Sequence, residues 1–551
     1  MIVHGRLFSS AALVFIASCA SSRDGAPEVS ARYLYDDLGS ATRAVTTQSS
    51  EAQRYFDQGL VLVHAFNHDE AIRSFTAASE IDPNCAAAWW GIALAHGPHI
   101  NNAAMTPDAS DAAWKALKKA QGTAGAASEV ERALIDALSA RYAWPAPLDR
   151  SALDGAYADA MRATWRRFSS DAEVGALCAE SLMNLHPWDM YTNTGAPKPW
   201  TPEIVEILER VLVLQPDHAL ANHLYVHAME ASNDPSRANR AADRLREMVP
   251  GSSHLVHMPA HIDARVGRYE AASRANERAI AVDVKHANRT GKAGFYRVYM
   301  AHNVHFLTFA SMMEGRREKA LEAARALASG FTPEFLERMG PYIDGFMPVV
   351  LEVQMRFGMW DEILREPEFP ALFGVSNAVR HHARCVAFTV KDRFAEAHAE
   401  LAQLEALAAA MDDRPIGNNP AKLVLRIPVL LAKGELAFRE GRRDEGLDLV
   451  RQAVAVEDEL KYDEPPDWII PVRHTLGALL VTAGKYTEAE GIYREDLKRW
   501  PENGWSLQGL LRCAEARGLG RETDELRARY QRAWSRADVV LTSSCFCQAT
   551  R

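Results

Sequence analysis

The chain has 551 residues, a formal net charge of −10 at pH 7 and a sequence pI of about 6.0. An acidic balance of this kind gives no electrostatic reason to expect nucleic acid or an anionic membrane surface as a partner. Hydrophobic residues make up 48% of the chain, which is ample for a packed core. No apolar run long enough to cross a bilayer follows the first 19 residues.

The first 19 residues have the pattern of an export signal, with a positive charge at Arg6 and a short apolar stretch at 11–17. The segment that ends it, Ile16-Ala17-Ser18-Cys19, resembles a bacterial lipobox. The resemblance implies that Cys19 receives acyl chains such as palmitate and becomes the new N-terminus. Ala20 after the cysteine then favours the outer membrane, with the protein facing the periplasm. The alternative is an ordinary signal peptide with a coincidental cysteine.

The clearest internal repeat begins at Ala52. Its landmarks are Gly59 at position 8, Ala71 at 20, Phe75 at 24, Ala78 at 27 and Pro83 at 32. Small residues at 8, 20 and 27 let two helices approach closely, a glycine near 15 allows the turn between them, and a proline at 32 ends the second helix. The same spacing defines ten repeats, which begin at Ala52, Ala86, Ala219, Ser253, Ala301, Asp344, Ala378, Ile427, Ile470 and Gly504.

This pattern resembles the tetratricopeptide repeat (TPR) family over most of residues 52–536. The resemblance implies an all-α fold, a right-handed helical-repeat solenoid in which pairs stack because one pair cannot bury its apolar face. The predicted organisation is a lipoprotein signal peptide with its cysteine at 1–19, a polar linker at 20–50, N-terminal TPR repeats at 51–105, irregular helical repeats at 106–218 with a loop at 186–202, histidine-rich TPR repeats at 219–343, C-terminal TPR repeats at 344–536 and a tail at 537–551.

In the TPR family the first helix of each pair lines a concave groove, with positions 2, 5, 9 and 12 turned into it. Nine of the 19 histidines fall on such positions here: His223, His227, His254, His257, His261, His302, His305, His382 and His474. Glu230, at position 12, shares a helix face with His223 and His227 because residues three, four and seven apart lie on one side of a helix. The resemblance therefore implies a groove rich in imidazole.

Histidines at i and i+4 on one helix can present two nitrogens to one metal ion. Since packed helices lie about 8–10 Å apart, neighbouring first helices can bring several imidazoles together. Imidazoles with one carboxylate suit zinc, copper, iron or nickel. The predicted ligands of this transition metal ion are His223, His227, His257, His261, His302 and His305. Glu230 is predicted to be a further ligand or a catalytic general base.

Other positions complete the predicted groove. Pro259 lies between His257 and His261, so either a continuous helix bends there or a new helix begins near Met258. Further contacts with a protein or small-molecule partner are predicted for His254, His382, Arg473, His474 and Trp90. The remaining histidines, His64, His68 and His99 among them, are interpreted as surface, core or loop residues.

Two classes of function remain. One is a metal-binding protein, either an enzyme whose metal ion activates water or oxygen on a bound substrate or a metal-handling protein without turnover. The other is a metal-free scaffold for protein–protein interaction or envelope assembly. The sequence contains no H-E-x-x-H, Walker A or G-x-S-x-G motif, so nothing in it supports nucleotide-driven or serine-hydrolase chemistry. Because one fold hosts many functions, the resemblance to the TPR family does not choose between the two classes.

Overall fold

The computed structural model describes residues 32–290, 296–331 and 333–547. The predicted signal peptide, Cys19 and the first part of the predicted linker lie outside this range. The chain divides into two compact units. Unit 1 comprises residues up to Ile262 together with Glu277–Met300, and unit 2 comprises Asp263–Asn276 and the chain from Ala301 onwards.

Helices dominate the described residues. The helices from the beginning of the chain to Met313 are α1 (Ser50–His64), α2 (His68–Ile81), α3 (Ala86–Ala95), α4 (Pro107–Thr123), α5 (Glu129–Ser139), α6 (Ser151–Arg167), α7 (Ala172–Met183), α8 (Thr201–Leu214), α9 (Ala219–Glu230), α10 (Asn239–Met248), α11 (Ser253–His257), α12 (Pro259–Arg265), α13 (Tyr269–Thr290) and α14 (Arg297–Met313).

The later helices all belong to unit 2. They are α15 (Arg317–Ser329), α16 (Pro333–Ile343), α17 (Val349–Arg356), α18 (Trp360–Arg365), α19 (Gly374–Val390), α20 (Phe394–Ala410), α21 (Ala421–Val424), α22 (Arg426–Arg439), α23 (Arg443–Glu459), α24 (Val472–Thr482), α25 (Tyr486–Arg499), α26 (Gly504–Ala516) and α27 (Gly520–Ala533). Short 3-10 turns occur at Ala124–Ala126, Pro235–Ala238 and Asp344–Phe346. Two strands of two residues each, β1 (Pro415–Ile416) and β2 (Asn419–Pro420), pair antiparallel.

The helices are arranged as stacked pairs. In unit 1, α1 packs on α2 and α3 packs on α4, while the first helices α1 and α3 also contact each other. In unit 2 the pairs α22–α23, α24–α25 and α26–α27 repeat the arrangement, with α24 against α26. The helices α1, α3, α9, α11, α24 and α26 begin within two residues of predicted repeat starts. The prediction of an all-α, TPR-like helical-repeat fold is confirmed.

The glycines at position 8 have a packing role. A Cβ on Gly59 would lie 2.7 Å from the ring of Phe75, at position 24 of the same repeat. A Cβ on Gly91, in the next first helix, would lie 2.6 Å from the same ring. Phe75 is therefore held between two glycines, and it is fully buried. Tyr493 is enclosed in the same way in unit 2.

Position 15 has a left-handed backbone conformation in eight of the ten predicted repeats. Six glycines occupy it with φ between 67° and 94°, namely Gly267, Gly315, Gly358, Gly441, Gly484 and Gly518. Glycine adopts this conformation without the steric cost that a Cβ brings. In two repeats the same position is held by Phe66 (φ 53°) and Asp392 (φ 57°). The ring of Phe66 lies against His223, one of the predicted metal ligands.

The C-terminal segment packs on unit 2. Asp538 accepts hydrogen bonds from the backbone N–H groups of Arg317 and Glu318 at the start of α15, at 2.8 and 2.9 Å. The segment also contains a disulfide between Cys545 and Cys547, the C-x-C pair at the end of the chain. Among the helices of the described chain, none is both long and apolar enough to span a membrane.

Candidate metal centre

Helix α9 carries three of the predicted site residues, and all of its residues are buried. It begins after His218, whose Nδ1 accepts a hydrogen bond from Ala221 N–H at 3.2 Å and so caps the helix. The helix contacts α1, α7, α8 and α10. Because an unsatisfied buried polar group costs about 1–3 kcal/mol, the polar side chains of α9 need partners inside the fold.

The His223 imidazole is held at both of its nitrogens. Its Nδ1 donates to the carbonyl oxygen of His64, at the end of α1, over 2.8 Å. Since a carbonyl oxygen only accepts, the proton of the neutral ring is on Nδ1 and a lone pair is left on Nε2. That Nε2 therefore accepts a hydrogen bond from Nε2–H of His254 at 3.1 Å, a proton that His254 releases when it coordinates an ion. Burial and the nearby His227 lower the pKa of His223 well below its usual range, so the ring is neutral and able to coordinate.

Glu230 contacts two histidine rings with its two oxygens. Its Oε1 accepts a hydrogen bond from Nδ1 of His227 at 3.0 Å, and its Oε2 lies 2.7 Å from Nδ1 of His261. Burial alone raises the pKa of this carboxyl, but the two imidazoles outweigh it and lower the pKa, so Glu230 stays ionised. In metalloproteins a carboxylate placed in this way fixes the tautomer of a histidine and turns its other nitrogen towards the ion.

His227 shows the consequence. With Nδ1 engaged by Glu230, its Nε2 is the nitrogen left to coordinate, and that atom is buried without a hydrogen-bond partner among the described residues. A buried nitrogen without a partner is costly unless something in the functional protein binds it. The ring lies 4.9 Å from the ring of His223, measured between centroids.

The three remaining candidate histidines of unit 1 follow one another on α11 and α12. Pro259 divides what would be one helix into these two, so the sequence alternative of a helix that starts near Met258 is close to what is found. His254 packs its ring on Tyr299, with 4.3 Å between ring centroids. His257 and His261 face each other across the break, with their Nε2 atoms 2.7 Å apart.

Two aromatic residues reach the histidines from strained positions. Phe66 stacks on His99 and also lies 4.4 Å from the ring of His223. Trp188, in the loop predicted at 186–202, meets His227 edge-on at 5.4 Å. Both are non-glycine residues with left-handed φ, 53° for Phe66 and 56° for Trp188. Backbone strain of this kind costs about 1–3 kcal/mol and occurs preferentially at functional sites.

These residues bring three imidazoles together. Ligand nitrogens of His223, His227 and His254 lie within 4.8 Å of one another, and all three residues are buried. Nitrogens bound to one tetrahedral zinc stand about 3.3 Å apart, given Zn–N bonds of about 2.0–2.1 Å. The 3.1 Å between Nε2 of His223 and Nε2 of His254 is close to that spacing. The cluster therefore fits a transition metal ion after small movements of its rings.

The other predicted metal ligands, His302 and His305, belong to unit 2. His302 lies edge-on to Phe306, with 5.9 Å between ring centroids. His305 is buried and lies edge-on to Phe346 at 5.4 Å. Burial lowers the pKa of His305 to about 4, so it is neutral at pH 7.

The residues predicted to contact a partner are mostly inside the protein. His382 is buried with its ring 5.6 Å from Trp468, and Trp90 is buried in unit 1. His474 is fully buried, with Nε2 2.9 Å from Asp496 and Nδ1 accepting from Arg356 at 3.0 Å. Arg473 forms ion pairs with Asp458 and Glu457. His382, His474 and Trp90 thus lie in the protein core.

Sequence reasoning missed several residues around the cluster. His64 contributes through its backbone carbonyl, which no side-chain pattern reveals. Phe66, His99 and Tyr299 lie around the imidazoles, whereas the sequence indicates no role at the site for any of them. One signal was present for Phe66, which occupies the turn position that glycine fills in most other repeats.

No protein-family model matches the sequence, and none of the curated proteins compared with it matches either. Solved structures similar to this chain are helical proteins. Human IFIT1, in a dimer with m7Gppp-AAAA, is 13% identical, covers 89% of this chain and 91% of its own, and has a TM-score of 0.32. Cut9, in the APC/C hetero-tetramer Cut9–Hcn1, is 12% identical over 88% of this chain and 74% of its own, with a TM-score of 0.30. Yeast Tom70 is 13% identical over 88% of this chain and 93% of its own, with a TM-score of 0.28.

Proposed function

We propose that this helical-repeat protein binds a transition metal ion in unit 1 through Nε2 of His223, His227 and His254. The observation that carries the proposal is the orientation of two of these rings. His223 and His227 each have Nδ1 bound to a fixed acceptor, which leaves Nε2 as the coordinating nitrogen. A neutral imidazole held by an acceptor at its other nitrogen is the usual state of a histidine ligand.

The donor set favours a reactive centre over a closed structural one. Structural zinc sites have four protein ligands, whereas sites with three protein ligands keep a position for water or substrate. When bound, such an ion lowers the pKa of a coordinated water or polarises a substrate oxygen. Glu230 already contacts His227 and His261 with both oxygens, so it acts here as a residue that positions ligands rather than as a general base.

A second candidate function is a scaffold for a protein partner, which does not require a metal ion. The observation in its favour is the loop between α5 and α6, where Trp144 is 55% exposed and Leu148 is fully exposed. Large apolar side chains exposed on one loop are candidate contacts for a protein partner. The two functions can be separated by experiment, because a partner that binds this loop should remain bound when the metal ion is lost.

The test of the metal proposal is metal analysis of the full chain, purified without a histidine tag and supplied in turn with zinc, copper, nickel and iron. After dialysis we expect at least one tightly held equivalent of one of these metals. The variant that combines His223→Gln, His227→Gln and His254→Gln should bind one equivalent less than the wild type, since glutamine fills the space without an imidazole nitrogen. Circular dichroism would confirm that the helices persist.

A matched control is available in unit 2. His382 is buried and occupies the same repeat position as His223, so His382→Gln changes a comparable core histidine and should keep the metal. A wild-type chain that retains none of the four metals would refute the proposal. A triple variant that binds as much metal as the wild type would show that the site lies elsewhere.

A further inference from the structure

Four of the candidate histidines of unit 1 form two facing pairs. In the first pair Nε2 of His223 lies 3.1 Å from Nε2 of His254. In the second, Nε2 of His257 lies 2.7 Å from Nε2 of His261. Ring centroids within each pair are 4.8 and 4.7 Å apart, while the rings of His254 and His257, one from each pair, are 6.2 Å apart. The pairs are thus adjacent and distinct.

Glu230 lies between the two groups. Its Oε1 is bound to Nδ1 of His227, which belongs with the first pair, and its Oε2 contacts Nδ1 of His261 in the second. Since both rings turn Nδ1 to one carboxylate, their Nε2 atoms are turned away from it. The ring centroids of His227 and His261 are 6.0 Å apart. One buried carboxylate therefore orients one ligand for each of two neighbouring positions.

The second pair has the donor chemistry of a metal site. His257 and His261 are four residues apart, a spacing that suits coordination of one ion by two imidazoles. His261 turns Nδ1 to Glu230, so its Nε2 accepts the 2.7 Å hydrogen bond from Nε2 of His257, and an ion bound by both Nε2 atoms replaces that proton. Both residues are at most 2% exposed. Imidazole ligands select zinc, copper, nickel or iron over calcium or magnesium.

We infer that unit 1 holds two transition metal ions, the second bound by Nε2 of His257 and Nε2 of His261, with Glu230 positioning a ligand of each. The inference rests on the proposed function, because it places the second ion beside the first. Each ion would have one ligand held by Glu230, which lies between the two positions.

The test counts the ions and measures the distance between them. The tag-free full chain is titrated with Cu(II), and bound copper is measured together with the electron paramagnetic resonance spectrum. We expect two equivalents and a spectrum broadened by spin–spin interaction, with a half-field transition. The double variant His257→Gln with His261→Gln should bind one equivalent and give the spectrum of an isolated Cu(II). His382→Gln should behave like the wild type.

The possible failures can be told apart. If the wild type saturates at one equivalent, and His257→Gln with His261→Gln keeps it, the second position is wrong and the first stands. If the double variant loses all copper, the pairs form a single site and the inference of two ions falls. If the wild type binds no metal, the proposed function falls as well. The wild-type spectrum decides the matter even if a variant fails to fold.

Discussion

Glu230 links the two groups of candidate ligands, because it contacts one histidine ring of each group. It is ionised, 1% exposed and in contact with Nδ1 of both His227 and His261. A carboxylate can accept from two N–H groups at once, whereas a glutamine amide offers one accepting oxygen and one donating nitrogen. In Glu230→Gln, one of the two accepting oxygens becomes a donating nitrogen, and this forces His227 or His261 into the wrong tautomer.

We expect Glu230→Gln to weaken metal binding about 10- to 100-fold, the usual effect of losing such an outer partner. Competition with a chelator of known affinity would measure it. Glu435→Gln is the matched control, because burial raises the pKa of Glu435 to about 8 and the side chain is already largely neutral at pH 7. Equal affinity of Glu230→Gln and the wild type would contradict the positioning role.

Phe66 combines backbone strain with packing. Its φ of 53° is the conformation that glycine adopts at this position in other repeats, and its ring, 3% exposed overall, lies against His223 and His99. Phe66→Ala should lower the free energy of unfolding by about 3–5 kcal/mol. Phe66→Gly should be more stable than Phe66→Ala by about 1 kcal/mol, since only alanine keeps the strain of a Cβ at positive φ.

Denaturant unfolding would measure the free energy of unfolding of both variants. The usual order in folded proteins is the reverse, with alanine more stable than glycine. A more stable alanine variant would show that the turn is not under strain.

Among the helices, the close approach of α1 to α2 and α3 depends on glycine. Gly59→Ala would place a Cβ 2.7 Å from the Phe75 ring, which cannot move away because Gly91 touches its other side. We expect unit 1 to lose about 1–3 kcal/mol of stability, as overpacked cores do. Gly155→Ala on α6, where a Cβ meets nothing within 4 Å, should instead stabilise by up to about 1 kcal/mol. Thermal unfolding of both variants would measure the difference, and equal effects would refute the packing account.

The repeat landmarks made the helices predictable. Glycines and alanines at fixed positions reflect local contacts within a pair, so helix starts such as Ala86, Ala219 and Ser253 could be read from the sequence. The contact between α1 and α9 could not, since it joins residues far apart in the chain and depends on how successive pairs turn. The His64 carbonyl that holds His223 was invisible for the same reason. The separation of the histidines into two pairs could not be predicted either, because it depends on Glu230 and on the helix break at Pro259.

For the whole molecule, two features are proposed independently of each other, the candidate metal centre and the membrane anchor. Six of the histidine and glutamate residues that carry the centre lie in unit 1: His223, His227, Glu230, His254, His257 and His261. The proposed anchor, Cys19, lies outside the described residues. We therefore propose that export and attachment depend on the N-terminal segment alone.

Cys19→Ala tests this separation, because without the thiol there is no atom to acylate. We expect the variant to be released from the membrane fraction or to remain unprocessed, while its metal content per folded chain stays that of the wild type. Cell fractionation with mass spectrometry of the N-terminus would measure both processing and acylation. Unchanged membrane attachment and processing would remove the lipoprotein proposal and leave the metal proposal intact.

The central claim is tested most directly by anomalous diffraction from crystals of the tag-free protein, recorded on both sides of the absorption edge of the bound metal. The account predicts an anomalous peak about 2.0–2.3 Å from Nε2 of His223, His227 and His254, with Glu230 still on Nδ1 of His227. A map without a peak at this position, in crystals grown with excess metal, would contradict it. So would a peak surrounded by other residues while the three rings hydrogen-bond to one another.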